Sequence, residues 1–241
     1  MDVCEGVIIS LCIPCMNRVH NLRQTLPLVI EAANASPPVE IVVLNYNTDD
    51  DLDEYIATIN GLEEPNSLLY RRYTGKRKYY HSTHARNLTV LASSGEYIIQ
   101  LDTEIILPHD FMAYIRGRLE ATHPVWMCEG EVGRCIIVQR QEFIEAGGYD
   151  ERFDVYAPED KDICLRLHRR GGTFELFPSR LITAIETSNR EKLENLDQER
   201  YRNGPFWVKR MMFRAMRVIY EENIANQVLV ANEGREWGQW T

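Results

Sequence analysis

Through the first hundred residues, short β-branched and aliphatic runs alternate with stretches whose apolar positions recur at helical spacing. Residues 7–13 (Val-Ile-Ile-Ser-Leu-Cys-Ile) are apolar on both faces, the pattern of a buried strand, and Pro14 is expected to end it. Over 21–34, Leu22, Leu26, Val29, Ile30 and Ala33 form one helical face, and Pro27 inside it predicts a kink or a late start. Ser36-Pro37-Pro38 closes that helix, and 40–44 reads as a second buried strand. A polar turn over 45–51 then leads into a helix over 52–60, with acids favoured in its first turn. A third strand is predicted over 68–73, a helix over 84–92 stopped by Gly95, and another strand over 96–101.

Strand alternating with helix predicts an α/β domain with a mostly parallel central sheet flanked by helices. Ligands of such sheets sit beyond the carboxyl ends of the strands. Asn17 and Arg18, residues 45–49, and Asp102 with Glu104 all fall at or just past those ends and should converge on one cleft. Further along, 130–139 reads as a strand, 141–146 as a helix, and 160–170 as a helix closed by Gly171-Gly172. A strand-like pair follows over 173–177 and 181–186. From Ser188 the chain becomes charged, then forms a long helix from about Pro205. No internal repeat or low-complexity linker is visible.

Composition narrows the class. A length of 241 residues suits one large domain, or one with an extension, and 44% apolar content is that of a globular chain. A net charge of −9 argues against a general nucleic-acid binder. Residues 1–6 lack a basic n-region, and no apolar run nears the ~20 residues that span a bilayer. A soluble, cytoplasmic protein is expected. Cys12, Cys15, Cys128, Cys135 and Cys164 sit in apolar surroundings and fit reduced core residues. Cys12-Ile13-Pro14-Cys15 has redox-motif spacing, but no helix starts at its first cysteine.

Two acidic clusters carry the candidate chemistry: Asp102-Thr103-Glu104, which closes an apolar strand, and Glu159-Asp160-Lys161-Asp162, which opens a helix. Carboxylates at a buried strand end are costly unless they hold a cation or are solvated in a cleft. In an extended segment residues 102 and 104 project to the same side. They could share one hard cation, or one could bind the metal while the other takes a ribose hydroxyl. Oxygen-only donors favour Mg²⁺ or Mn²⁺. No glycine-rich phosphate loop is present, which argues against a dehydrogenase or a P-loop enzyme.

Taken in order, Pro14-Cys15-Met16-Asn17-Arg18, His84-Ala85-Arg86-Asn87, Leu101 to Pro108, Gly147-Gly148-Tyr149-Asp150 and Glu159-Asp160-Lys161-Asp162 resemble GT-A fold glycosyltransferases. The likeness is greatest to family 2 enzymes and to the galactosyltransferase C-terminal module of family 7, and it covers roughly residues 7–185. It implies a single Rossmann-like GT-A domain over 1–188, with a nucleotide-binding half (1–105) and an acceptor half (106–188). Residues 189–241 would be a helical C-terminal extension or lid. It also implies transfer of a sugar from a nucleotide donor, UDP-linked, to the hydroxyl of a saccharide or lipid-linked acceptor. Pro14, Asn17, Arg18, Asn45 and Asp49 would line the nucleotide pocket, and Arg86 would approach the diphosphate. Asp102 would face ribose and metal, and Glu104 would ligate the metal. Asp160 would be the general base of an inverting transfer, Glu159 would hold an acceptor hydroxyl, and Asp162 would be a helix-start charge.

The chain departs from that pattern in three places. The second acid of the metal motif is Glu104, the usual acid after the second strand is Asn45, and no histidine follows His168. Glu186 is the substitute for a late metal ligand. These departures leave open a non-catalytic sugar-nucleotide-binding or scaffold relative, and a nucleotidyltransferase, which shares the wound sheet and acidic metal site, is a second alternative. Two further segments have dual readings. The basic, aromatic stretch 70–81 suits either a solvated loop or one that greets anionic groups. The basic amphipathic segment 205–220 suits either packing on the domain or a dimer mate, or peripheral contact with an anionic membrane. Tyr201, Trp207, Trp237 and Trp240 suit core packing or a lid. Oligomeric state is open.

Overall fold

The computed structural model describes residues 7–129, 135–154, 157–188, 191, 194–196 and 206–241, the side chains of 206–212 aside. Its first half is a wound βαβ array: β1 (Ile9–Cys15), α1 (Val19–Ala35), β2 (Val39–Tyr46), α2 (Leu52–Ala57), β3 (Ser67–Tyr73), α3 (Ser82–Ala92) and β4 (Tyr97–Gln100). Then follow β5 (Ile105–Ile106), α4 (Phe111–Thr122), β6 (Trp126–Glu129), β7 (Ile136–Gln139), α5 (Arg140–Glu145) and α6 (Glu159–Arg169). The series ends with β8 (Phe174–Phe177), a 3-10 turn (Ser179–Leu181), β9 (Thr183–Ala184) and α7 (Phe206–Ala225).

Seven strands form one sheet in the order β3-β2-β1-β4-β7-β6-β8. All neighbours are parallel except β7, which runs antiparallel to both β4 and β6. A small antiparallel ladder joins β5 to β9. Because β2 and β3 lie on one side of β1 and β4 on the other, the strand order reverses at the β1/β4 pair. A crevice opens at such a reversal beyond the carboxyl ends. Alternation fixes the layers. Ile9, Leu11, Ile13, Ile41, Val43 and Ile99 pack on one face against α1 and α4, while Cys12, Ile98 and Val138 pack on the other against Val90, Phe143 and Ile163.

Several predicted boundaries move. Strand β1 continues through Pro14, which pairs with Leu44 of β2. Leu101 N donates to Cys12 O at 3.0 Å, so residues 12 and 14 aim their main-chain groups toward β4. The β4 ladder ends at Gln100, leaving no acceptor for an N–H at position 14, and the proline is tolerated. Helix α3 begins two residues before the predicted start, capped by the His81 ring, which accepts from His84 N at 3.3 Å. The predicted strand over 181–186 contracts to Thr183–Ala184 behind the 3-10 turn. Of the strand predicted over 130–139, residues 136–139 are β7, and 130–134 lie outside the described residues. The elements α4, β5, β6 and the 3-10 turn have no predicted counterpart. Helix α4 buries Phe111, Met112, Ile115 and Leu119, a stripe diluted in the sequence by Gly117 and four charged or polar neighbours.

The described part of α7 packs onto the domain. Met216 joins Phe153 and Leu196, and Asn223 reaches Asp150 and Asp162. Beyond Ala225 the chain is no longer helical. It returns across the domain, with Ala231 N donating to Ala146 O at 2.9 Å and Gly238 N to Glu151 Oε1 at 2.9 Å. Trp237 lies against Gly148, and Trp240 against the cluster of Tyr46 and Tyr73. Tyr201 and the Trp207 side chain lie outside the described residues.

Candidate active site

The cleft beyond β1 and β4 is lined by Pro14, Arg18, Arg86, Asp102, Glu104 and Glu159, joined by Tyr80, Asn195 and Leu196. Its centre is a single guanidinium. Arg86, on the second turn of α3, is 8% exposed. Its Nη2 donates to both oxygens of Asp102 (2.9 and 3.2 Å), and its Nη1 reaches Asp160 Oδ1 (3.3 Å) and Glu159 Oε1 (3.4 Å). The two acidic clusters, separate in sequence, therefore meet on one cation. The guanidinium Nε and Glu159 Oε2 are buried with no partner among the described residues.

The electrostatics follow from dividing one positive charge among three carboxylates. Burial opposes the charge on Arg86, but Asp102, Asp160 and Glu159 outweigh it and hold the guanidinium well above its ordinary value. Burial and the neighbouring Asp160 charge push Glu159 up to about 7, against the pull of Arg86. Burial likewise raises Asp160, opposed by Arg86. The start of α6 favours both carboxylates through its exposed N–H groups, yet not enough to cancel desolvation.

The segment after β4 turns rather than running extended, since Ile105 N donates to Asp102 O at 3.1 Å. Strand alternation therefore does not place Asp102 and Glu104 on one side; the turn brings both to the cleft. Burial, then the Asp102 charge, raises Glu104, whose hydrogen bond is to the adjacent Thr103 hydroxyl at 3.3 Å. Ile185 N donates to Glu104 O at 2.9 Å, continuing the β5–β9 ladder. Glu186, the next residue, is exposed and is not among the residues that line the cleft. Among the described residues, no three His, Cys, Asp or Glu side chains already converge on a metal position. The donor chemistry nonetheless fits a hard divalent cation. Glu104 is a desolvated carboxylate beside a like charge, only partly offset by a backbone N–H, by Arg18 and by Thr103, and a cation would relieve it.

The residues expected to line a nucleotide pocket divide into two groups. Asn17, in the left-handed region at φ 53°, stitches the β1 and β2 turns: its Oδ1 accepts from Asp49 N (2.6 Å) and Thr48 Oγ1 (3.0 Å). Its Nδ2 donates to Asn195 Oδ1 at 3.1 Å. Asp49 is exposed at that turn. Asn45 is buried and committed elsewhere, donating to Asp53 Oδ1 (3.1 Å) and Tyr70 OH (3.0 Å) and accepting from Thr48 N (3.0 Å). It supports the turn and does not line the cleft. Asp162 is more than a helix-start charge. It is buried, ion-paired with Arg166 at 2.8 Å, and accepts from Asn223 Nδ2 at 2.8 Å. Asn195 was invisible to pattern, because its partners Met16 and Asn17 lie nearly the whole chain away. Tyr149 stands in a quoted motif, but nothing in the sequence signals its contact with Asp160.

Comparison with known proteins fits this arrangement. Residues 116–202 match the model described as glycosyltransferase like family 2. A mannosyltransferase from Pyrobaculum calidifontis, solved with GDP-Man and Mn²⁺, superposes with a TM-score of 0.63 at 16% identity, covering 94% of this chain and 73% of that one. TarS 1–349 of S. aureus, solved with UDP-GlcNAc, gives 0.64 at 11% identity, covering 92% and 70%. The fold is GT-A. The catalytic domain of Drosophila β1,4-galactosyltransferase 7 shares this GT-A architecture at a TM-score of 0.56 and 15% identity, covering 86% and 79%. Human polypeptide N-acetylgalactosaminyltransferase 18 is 36% identical over 70 residues, which is 29% of this chain and only 12% of that relative's length. Among the described residues no helix is long and apolar enough to cross a membrane.

Proposed function

We propose that this GT-A chain is a glycosyltransferase that binds a UDP-sugar beyond β1 and β4 and transfers the sugar, with inversion, to a hydroxyl of a saccharide or lipid-linked acceptor. The observation that carries the reading is the meeting of Asp102, Glu159 and Asp160 on Arg86 in one cleft. Burial raises the Asp160 carboxyl, which makes it a stronger base than an ordinary aspartate. It takes the acceptor proton as the acceptor oxygen bonds to the anomeric carbon and the bond to the donor phosphate breaks. The diphosphate departs with the electron pair. Glu159 holds an acceptor hydroxyl, and Arg86 lowers the net charge of the cluster so that an anionic donor can enter. Asp102, Glu104 and Glu186 are the residues that would hold Mg²⁺ or Mn²⁺, which when bound neutralises charge on the leaving diphosphate.

The test is calorimetry with UDP- and GDP-sugars, with and without Mn²⁺, followed by turnover and NMR of the product anomer. Asp160→Asn should lower kcat about 10²–10⁴-fold with donor affinity retained. Glu104→Ala should weaken Mn²⁺ stimulation. If neither change lowers a measurable activity, these roles are wrong. Donor binding without turnover across varied acceptors would favour a non-catalytic relative.

A further inference from the structure

The turn Gly147-Gly148-Tyr149 is made by two glycines at φ 75° and 64°, the left-handed region, and it delivers the Tyr149 ring into the floor of the site. That ring is fully buried, edge-on to Phe143 at 5.5 Å, with the Arg86 guanidinium over its face at 5.5 Å. Its main chain is clamped from two sides. Asn87 Oδ1 accepts from Tyr149 N at 2.8 Å and Asn87 Nδ2 donates to Tyr149 O at 3.0 Å, while Asn232 Nδ2 donates to the same carbonyl at 2.8 Å. So held, the hydroxyl donates to Asp160 Oδ1 at 3.1 Å. Arg86 Nη1 binds that same oxygen at 3.3 Å. Among the described residues no hydrogen bond reaches Asp160 Oδ2, and the Asp160 side chain is 21% exposed.

We propose that Tyr149 is a positioning residue for the general base: with Arg86 it pins one oxygen of Asp160 and leaves the other free to take the acceptor proton. This rests on the assignment of Asp160 as base. Packing alone does not call for the hydroxyl, since Phe143 fills the adjacent volume without one. A buried phenol beside a carboxylate is a directed donor, and it removes the rotational freedom that would otherwise let Asp160 turn Oδ2 away.

Tyr149→Phe deletes one oxygen and keeps the ring. Expected is a fall in kcat of about 10–100-fold with acceptor KM and donor affinity within about twofold of wild type. In the Asp160→Asn background the same change should add less than about twofold, because the hydroxyl then has no carboxylate to orient. A full additional loss in that background overturns the proposal, as does a loss confined to KM or one matched by a fall in melting temperature and donor binding. If Asp160→Asn lowers turnover but Tyr149→Phe does not, only the role of Tyr149 fails. If Asp160→Asn matches wild type, the base assignment fails, and the role of Tyr149 with it.

Discussion

Among the described residues two arginines are buried, and they are satisfied in opposite ways. Arg166, 1% exposed, has each of its three nitrogens partnered: it donates to Asp162 (2.8 Å), Ala146 O (2.6 Å) and Gly148 O (2.7 Å), so one carboxylate meets one guanidinium and a carbonyl takes each Nη. Nearby Asp150 belongs to the same network. Burial works against its charge, but bonds from Arg152 and Asn223 outweigh that and hold its carboxyl below the usual range. Arg86 faces three carboxylates at longer distances and keeps an unpartnered Nε. Around it the same burial raises Glu159 and Asp160, because one positive charge cannot serve three negative ones. Balanced partners make a structural joint, whereas an excess of carboxylate leaves a site that can still accept a proton, a metal or a ligand.

The contrast is open to direct challenge. Arg166→Met strands Asp162 in the interior and should cost about 3–5 kcal/mol, lowering the melting temperature by roughly 10 °C. Arg86→Met should cut turnover by about 100-fold or more while lowering the melting temperature less than Arg166→Met does. Equal melting losses for the two, by calorimetry, would erase the distinction between them.

Glu159 gives a smaller, pH-dependent test. Its folded-state carboxyl is raised to about 7, so the native state binds the extra proton between the unfolded value near 4.5 and that point. Stability contributed by the protonated form is therefore present at low pH and lost as pH rises through about 7. Glu159→Gln should be more stable than wild type at pH 8, by at most about 3 kcal/mol, with the gap closing near pH 5. A constant gap across that range, in melts followed by circular dichroism, would show that Glu159 is not desolvated as described. Asn45→Asp is subtler still. It sets a carboxylate against Asp53, so a loss of about 1 kcal/mol without tighter donor binding is expected. Tighter binding in titrations would return position 45 to the nucleotide pocket.

Much of the first half was legible in the chain itself. Buried parallel strands are near-continuous apolar runs, helices show one-sided spacing, and the sheet rule then places whatever follows each strand at a common rim. Asp102, Glu104 and Arg18 were found that way, and all line the cleft. Pattern failed where a segment is short or where charge dilutes its stripe, as in α4, β6 and the two-residue β9. It failed too for polar residues whose partners are distant: nothing near Asn45 announces Asp53 and Tyr70, and nothing near Asn195 announces Met16.

The sequence by itself determined the alternation of strand and helix through the first hundred residues, the rim beyond those strands and the identity of both acidic clusters, because periodicity and strand direction are local properties. Only the tertiary structure decided that those clusters share Arg86, that Asp162 belongs to a buried joint with Arg166, and that Tyr149 leans on Asp160. Asp162 and Arg166 stand one turn apart on α6, but their burial and their bonds to Asn223, Ala146 O and Gly148 O, like the other contacts, join different elements. Charge and burial act through space, so which carboxylate is neutralised, and which is left in surplus, is settled only when the elements are brought together.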